Sequence, residues 1–254
     1  MDKSQDRTVI VTGAGSSRGI GREACLRLAA AGWSVAALDL DEGAARETAA
    51  LVADANGGQV IGLGCDVTKS GQVDAAVSAV ERDLPPVAAL VNNAGITAPT
   101  RFLDINEEEW DRIFDVNVRG TYLVTRRVLP GLIDRGYGRI VNLSSVSAIR
   151  GGGVFGGAHY SAAKAAVLGL TRALAREAGP SGVTCNALAP GLIATDITAG
   201  KLSPEREAEI VAGVPLQRQG TVGEVASMIV YLCSEDAGYV TGATLDINGG
   251  SHIY

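Results

Sequence analysis

Short apolar runs alternate with amphipathic segments along the whole chain, and this alternation most constrains the fold. Apolar runs of strand length occur at Thr8–Val11, Ser34–Leu38, Val60–Cys65, Ala88–Val91, Arg139–Leu143, Val183–Leu188 and Thr244–Ile247. Helical patterns lie between them at Gly21–Ala31, Asp41–Ala53, Gln72–Asp83, Glu107–Leu129, Ser161–Glu177 and Val222–Ser234. Most of the apolar runs are continuous, which is typical of strands buried on both faces of a parallel sheet. The pattern predicts one α/β domain over residues 1–254, as a doubly wound open sheet or as an eight-stranded barrel.

Composition and charge exclude several functional classes. The chain has a net charge of −6 and no long run of like charges, which argues against nucleic acid as a partner. No apolar stretch approaches the ~20 residues that a membrane span requires. The histidines and cysteines do not cluster with metal-ligand spacing, so we expect no metal site and buried free thiols. The polar N-terminus lacks the apolar segment of a signal peptide, so a cytoplasmic protein is expected.

The first loop, TGAGSSRGIG from Thr12 to Gly21, follows a predicted strand and precedes a predicted helix. Glycines in such a loop let the backbone approach a phosphate, and the helix N-terminus supplies unpaired N–H groups and a positive dipole. This context favours the open sheet over the barrel and predicts a dinucleotide site. A glycine-rich turn without a ligand is the alternative.

The end of the second strand bears on which dinucleotide is bound. Asp39 stands there, and a carboxylate at this position accepts hydrogen bonds from the adenosine ribose and repels a 2′-phosphate. Asp39 therefore favours NAD over NADP. Arg18 in the first loop argues the other way, because a guanidinium can pair with that phosphate.

The same loop also matches the G-x-S-x-G pattern of the α/β-hydrolase nucleophile elbow, from Gly15 to Gly19. A serine hydrolase using Ser17 would need an acid and a histidine later in the chain. It would also leave Asp39, Tyr160 and Lys164 without a role.

A second group of polar residues follows the predicted strand Arg139–Leu143. Ser144 and Ser145 come directly after that strand, and Tyr160 and Lys164 share one face of the next helix as an i, i+4 pair. A lysine cation and a nicotinamide cation would favour the tyrosine phenolate and lower its pKa from about 10. Tyr160 could then exchange a proton with an alcohol oxygen while a hydride moves, with Ser145 stabilising the developing charge.

Asn117 lies on the apolar stripe of the predicted helix Glu107–Leu129. A buried amide in such a place needs a partner. The partner is either neighbouring backbone or a water that relays protons to Lys164.

In this order, the residues resemble the short-chain dehydrogenase/reductase family over nearly the whole chain. The resemblance rests on the TG…GIG loop, Asp39, Asp66-Val67, the NNAG motif from Asn92 to Gly95, Asn117, Ser145, the Tyr160–Lys164 pair, Pro190-Gly191 and the terminal VTGATLDINGG. It implies a Rossmann fold with a central seven-stranded parallel sheet, a catalytic tetrad of Asn117, Ser145, Tyr160 and Lys164, and a homotetramer. The loop containing Ser16, Ser17 and Arg18 is longer than the family's usual TG-x-x-x-G-x-G, and so is the loop between Ser145 and Tyr160.

The resemblance also implies a set of cofactor contacts. Besides Tyr160 and Lys164 they are Gly13, Ser17, Arg18, Gly19, Ile20, Asp39, Asp66, Val67, Asn93, Ala94, Gly95, Pro190, Gly191, Ile193 and Thr195. Asp66 and Val67 would contact the adenine, and the segment from Pro190 to Thr195 the nicotinamide. A mobile lid over the substrate is expected at about residues 194–215.

These features predict an NAD-dependent oxidoreductase of small secondary alcohols and ketones. The alternative in the same class is an NADPH-dependent reductase of 3-oxoacyl thioesters on acyl carrier protein or CoA. A protein that binds NAD(H) without turnover is a third possibility, which the Tyr160/Lys164 pair argues against.

Overall fold

The computed structural model describes residues 7–56, 58–196 and 203–253. Its centre is a parallel sheet of seven strands, β1 to β7 in chain order. They span Thr8–Thr12, Ser34–Asp39, Val60–Gly64, Val87–Asn92, Gly138–Leu143, Val183–Pro190 and Thr244–Ile247. The spatial order is β3-β2-β1-β4-β5-β6-β7, an open sheet rather than a barrel. The expected doubly wound α/β fold with seven parallel strands is therefore confirmed.

The helices that cover the sheet are numbered α1 to α9. They span Ile20–Ala30, Glu42–Asn56, Ser70–Asp83, Glu107–Phe114, Gly120–Asp134, Ser147–Arg150, Ala158–Ala178, Pro204–Ala212 and Val222–Cys233. The short helix α6 and the helix α8 were not predicted from the sequence. The helix α7 begins three residues before the predicted start at Ser161, so Tyr160 lies in its first turn.

Successive residues of the strands feed two separate cores, one on each face of the sheet. Val9 and Val11 of β1 join one core with buried residues of α1 and α9. Ile10, between them, joins the other core with buried residues of α3 and α5. Burial on both faces explains why the strand sequences are continuously apolar.

The predicted single helix Glu107–Leu129 was wrong in its middle. The helix α4 ends at Phe114, a π-helical turn runs from Asp115 to Arg119, and α5 continues from Gly120. Wide turns of this kind insert an extra residue into the helical ladder and are frequent at functional sites. Asn117 lies at the centre of this turn. The spacing of the apolar residues in the sequence did not predict the turn.

The strand order reverses between β1 and β4, which are neighbours in the sheet although β2 and β3 separate them in the chain. Ligands of such sheets bind beyond the carboxyl ends of the strands at this reversal. The loop after β1, the NNAG segment after β4 and the serines after β5 all lie at this edge.

Other sequence expectations can be compared with the described residues. All four cysteines are buried and free, as expected. Within residues 7–56, 58–196 and 203–253, no helix is long and apolar enough to cross a membrane, and no group of acidic, histidine and cysteine side chains is placed to hold a metal ion. The middle of the expected lid, residues 197–202, lies outside the described residues; α8 forms most of the remainder.

Candidate active site

The loop after β1 is held open by side chains that bind its carbonyl groups. The Asn93 amide donates to the carbonyl oxygens of Thr12 and Gly13, at 2.9 and 2.8 Å. Gly13 has a left-handed φ of +65°, and a Cβ there would lie 2.7 Å from the Cα of Ala94, so only glycine fits. The expected cofactor residue Asn93 thus supports the loop through its side chain.

The next part of the loop is fixed against the end of β2. The amide of Gly15 donates to Oδ2 of Asp39 at 2.7 Å, and the amide of Asp41 donates to Oδ1 of Asp39 at 3.1 Å. The buried Arg22 guanidinium donates to the carbonyl of Gly15 at 2.8 Å. Asp39 therefore anchors the lengthened loop, and its contact with an adenosine ribose stays a prediction.

The following residues converge on a single carboxylate, that of Asp196. The Ser16 hydroxyl, the Ser17 hydroxyl and the Arg18 amide donate to its Oδ2 at 2.7, 3.3 and 3.1 Å. Gly19, at the start of α1, has no side-chain cap. Asp196 thus engages the donors of Ser16, Ser17 and Arg18, while the uncapped N-terminus of α1 beside them is the place that fits a cofactor phosphate.

The expected adenine contacts are engaged in local structure. Oδ1 of Asp66 accepts the amide and the hydroxyl of Thr68, at 2.9 and 2.7 Å. Val67 is buried, and a Cβ on Gly120 would lie 2.6 Å from its Cγ2. Their contact with an adenine stays a prediction.

Tyr160, Lys164 and Ser145 meet at the ends of β5 and α7. The Lys164 ammonium donates to the carbonyl of Leu143 at 2.7 Å and lies 5.8 Å from the centre of the Tyr160 ring. The Ser145 hydroxyl hydrogen-bonds to that of Tyr160. Ser144, its neighbour, instead donates to the backbone carbonyl of Lys164 at 2.8 Å, so its hydroxyl supports the helix.

The proton affinities of this cluster are set mainly by burial. Burial lowers the pKa of Lys164 to about 8. Burial also raises the pKa of Tyr160 above its usual value, and the hydrogen bond from Ser145 acts in the opposite direction. Without a bound cofactor, loss of water around the phenol outweighs the effect of its neighbours, so the pKa of Tyr160 is not lowered. The joint effect of Lys164 and a nicotinamide cation stays a prediction.

Asn117 completes the cluster through its amide. Its Nδ2 donates to the carbonyls of Ile96 and Ile113, both at 2.9 Å, while its buried Oδ1 has no hydrogen-bond partner among the described residues. A Cβ on Gly95 would lie 2.8 Å from this Oδ1 and 3.2 Å from the Lys164 ammonium. The backbone thus satisfies the Nδ2 group of Asn117. Its Oδ1 is an acceptor on the Lys164 side of the cluster, as a water relay requires.

A cavity of about 200 Å³ opens over Tyr160. Its walls are largely apolar and include Ile96, Val154, Phe155, Leu192 and Ile210. The cavity is also lined by several of the expected cofactor contacts, namely Ile20, Asn93, Gly95, Pro190, Gly191, Ile193 and Thr195. Tyr160 therefore lines a partly open cavity beside the predicted nicotinamide segment.

Comparison with known proteins agrees with this arrangement. A family described as enoyl-(acyl carrier protein) reductase matches residues 13–252. An uncharacterized short-chain type dehydrogenase/reductase of Sinorhizobium fredii is 45% identical over 248 residues, covering 98% of both chains. This chain belongs to the short-chain dehydrogenase/reductase family. It is therefore an oxidoreductase that acts on CH–OH or keto groups with a nicotinamide cofactor.

Two other relatives carry names that describe a reaction. An acetoacetyl-CoA reductase of Rhizobium meliloti is 39% identical over 247 residues, covering 97% of this chain and 99% of the relative. A 3-oxoacyl-[acyl-carrier-protein] reductase of Escherichia coli is 36% identical over 249 residues, covering 98% of each. Both names describe the reduction of a 3-oxoacyl thioester.

Membership of the short-chain dehydrogenase/reductase family leaves the hydrolase alternative without support. Ser17 donates to Asp196, and no hydrogen bond joins it to a histidine within the part of the chain that the structure describes. His159 is fully buried and pairs with Glu109, with 2.7 Å between Nε2 and Oε1. That pair ties the first turn of α7 to α4, beside Tyr160.

Sequence reasoning missed Asp196 altogether. It follows the expected contact Thr195, but nothing in its neighbours indicates a contact with the first loop. The two segments are 178 residues apart in the chain. Only the folded sheet brings them together.

Proposed function

We propose that this protein interconverts 3-oxoacyl and 3-hydroxyacyl thioesters by hydride transfer with NAD(H). The observation that carries the proposal is the cluster of Ser145, Tyr160 and Lys164 under an apolar cavity, in a chain whose named relatives reduce 3-oxoacyl thioesters. An apolar cavity suits an acyl chain better than a polyol. This substrate class replaces the small secondary alcohol expected from the sequence.

Tyr160 is the proton donor in the direction of reduction. When bound, a nicotinamide cofactor would supply the hydride for C3 of the substrate. The Tyr160 hydroxyl gives its proton to the carbonyl oxygen, and its raised pKa keeps it protonated in the free enzyme at neutral pH. The Ser145 hydroxyl donates a hydrogen bond to the same oxygen and stabilises its developing negative charge.

Lys164 and Asn117 are the residues that return a proton to the Tyr160 phenolate after the transfer. The Lys164 ammonium is held under Tyr160 by the carbonyl of Leu143, where its charge stabilises the phenolate that is left after transfer. The unpaired Oδ1 of Asn117 holds a water beside that ammonium, through which a proton returns from solvent.

NAD(H) is the proposed cofactor because of Asp39. Its carboxylate stands at the end of β2, where it accepts hydrogen bonds from ribose hydroxyls and repels a 2′-phosphate. The amides of Gly15 and Asp41 hold the carboxylate in place, so it does not swing away from an incoming phosphate.

We propose further that the protein is a homotetramer, with the described parts of the expected lid, residues 194–196 and 203–215, closing over the substrate. Exposed aromatic side chains on α4 and α5, Trp110 and Tyr122, support an interface along these helices. Sedimentation analysis checks the oligomeric state.

The reaction is tested with purified protein and a panel of substrates. Acetoacetyl-CoA, the same acyl group on acyl carrier protein, crotonyl-CoA and a set of secondary alcohols and ketones are each offered with NAD(H) and NADP(H). We expect fastest turnover with a 3-oxoacyl thioester and NADH, and the comparison of the two carriers shows which one the protein uses. Preferred turnover of the enoyl thioester or of free alcohols would contradict the proposal.

A further inference from the structure

The Asp196 carboxylate holds the only charged side chain of the lengthened loop, Arg18. Arg18 donates through Nε to Oδ1 at 2.7 Å and through its backbone amide to Oδ2 at 3.1 Å. The hydroxyls of Ser16 and Ser17 add to Oδ2 at 2.7 and 3.3 Å. These hydrogen bonds hold the pKa of Asp196 well below its usual range, so the carboxylate stays negative at every pH of interest.

The loop is fixed on its other side as well. Gly15 is bound through its amide by Asp39 and through its carbonyl by Arg22. The Arg22 guanidinium also pairs with Glu47 at 3.0 Å, so its charge is already engaged. Arg18 is thus the cation of this loop that a 2′-phosphate could recruit, and it faces Asp196 rather than the ribose site at Asp39.

We propose that Asp196 is a specificity-determining residue, which sequesters Arg18 and so strengthens discrimination against NADP(H). This inference rests on the proposed use of NAD(H). To bind a 2′-phosphate, Arg18 must leave a carboxylate that it contacts through its side chain and its backbone amide. The extra residues of the loop include Ser16 and Ser17. Their hydroxyls donate hydrogen bonds to Asp196 and hold its carboxylate next to Arg18.

The Arg18 side chain of this ion pair is exposed to solvent, so the pair is weak. The expected effect of Asp196 on the choice of cofactor is therefore modest. Exposed charge pairs are worth at most about a factor of five in an equilibrium constant, and hydrogen bonds to a charged group raise this to roughly tenfold. Removing the Asp196 charge should therefore tighten NADPH binding roughly fivefold to tenfold relative to NADH.

The experiment measures dissociation constants of NADH and NADPH from their fluorescence, without substrate. The proteins are the wild type, Asp196→Asn, Asp196→Ala, Arg18→Met and the double variant Asp196→Asn with Arg18→Met. Asp236→Asn is the matched control, because it removes the same charge near Ser234, whose carbonyl is bound by Arg139 at the opposite edge of the sheet. Circular dichroism shows whether each variant is folded.

The proposal expects both Asp196 variants to shift the NADPH-to-NADH ratio towards NADPH, and expects the shift to vanish in the double variant. An unchanged ratio, equal weakening of both cofactors, or a shift that persists without Arg18 would overturn it. Binding is read without turnover, so failure of every thioester to react would refute the proposed substrate while leaving this measurement decisive.

Discussion

The two ends of the active-site crevice control charge in opposite ways. At the catalytic end, Lys164 is buried and its ammonium binds a backbone carbonyl, and burial alone brings its pKa down to about 8. At the phosphate-loop end, Arg18 is exposed and is paired with Asp196 through two groups. Burial thus tunes a proton affinity where the proposed mechanism moves protons, whereas hydrogen bonds fix a permanent charge beside the proposed phosphate site.

The largest effect is expected at the catalytic end, from Tyr160→Phe. This change removes the only proton that we assign to the carbonyl oxygen and leaves the ring and the loop untouched. The rate of thioester reduction should fall by a factor on the order of 10³, as is usual for loss of a general acid. NADH binding, measured by fluorescence in the same preparation, should change less than threefold on this account because the phosphate loop and Asp39 remain.

Ser144→Ala is the matched control for this variant. The Ser144 hydroxyl bonds to the backbone of Lys164 and not to Tyr160. A loss with Ser144→Ala as large as with Tyr160→Phe would show that packing of α7, rather than the phenol, limits the rate.

An intermediate effect is expected from pH, through Lys164. Because the charged form is the protonated one, a pKa lowered to about 8 means that the ammonium loses its proton, and its charge, above that pH. The kcat/KM for NADH, which reports groups of the free enzyme, should then fall about tenfold for each pH unit above this pKa.

Lys164→Arg sharpens this prediction. A guanidinium stays charged throughout this range, so the alkaline fall should disappear even where the overall rate is lower. A wild-type profile that stays level well above pH 8, or an identical fall in Lys164→Arg, would show that Lys164 is not the titrating group.

The smallest effect is expected at the phosphate-loop end, from Asp39→Asn. The amide keeps an acceptor for the backbone of Gly15 or Asp41 but loses the charge that repels a 2′-phosphate. The ratio of kcat/KM values for NADPH and NADH should rise roughly fivefold, the size of one screened charge interaction. With Asp236→Asn as the remote control, an unchanged ratio in Asp39→Asn would remove the argument for NAD(H).

At both ends, the residues that the sequence predicted follow from local patterns. The i, i+4 spacing of Tyr160 and Lys164 places them on one helix face whatever the rest of the fold does, and the apolar runs predict the strands that Ser145 and Asp39 follow. Local periodicity is enough for such residues.

Features that depend on distant parts of the chain were not predictable. The π-helical turn at Asn117 leaves the apolar spacing intact, so the pattern showed one continuous helix. The direction of the Tyr160 pKa shift depends on how completely α7 and β5 exclude water. The contact of Asp196 with Arg18 exists only because the sheet brings both segments to one edge.

Isotope transfer shows directly whether the protein delivers a hydride to C3 of a 3-oxoacyl thioester. Reduced nicotinamide cofactor carrying deuterium on the transferable position is incubated with acetoacetyl-CoA and the wild-type protein, and the product is analysed by mass spectrometry. We expect a 3-hydroxyacyl thioester that carries the deuterium at C3. Deuterium at C2, a product without deuterium, or release of free CoA would contradict it.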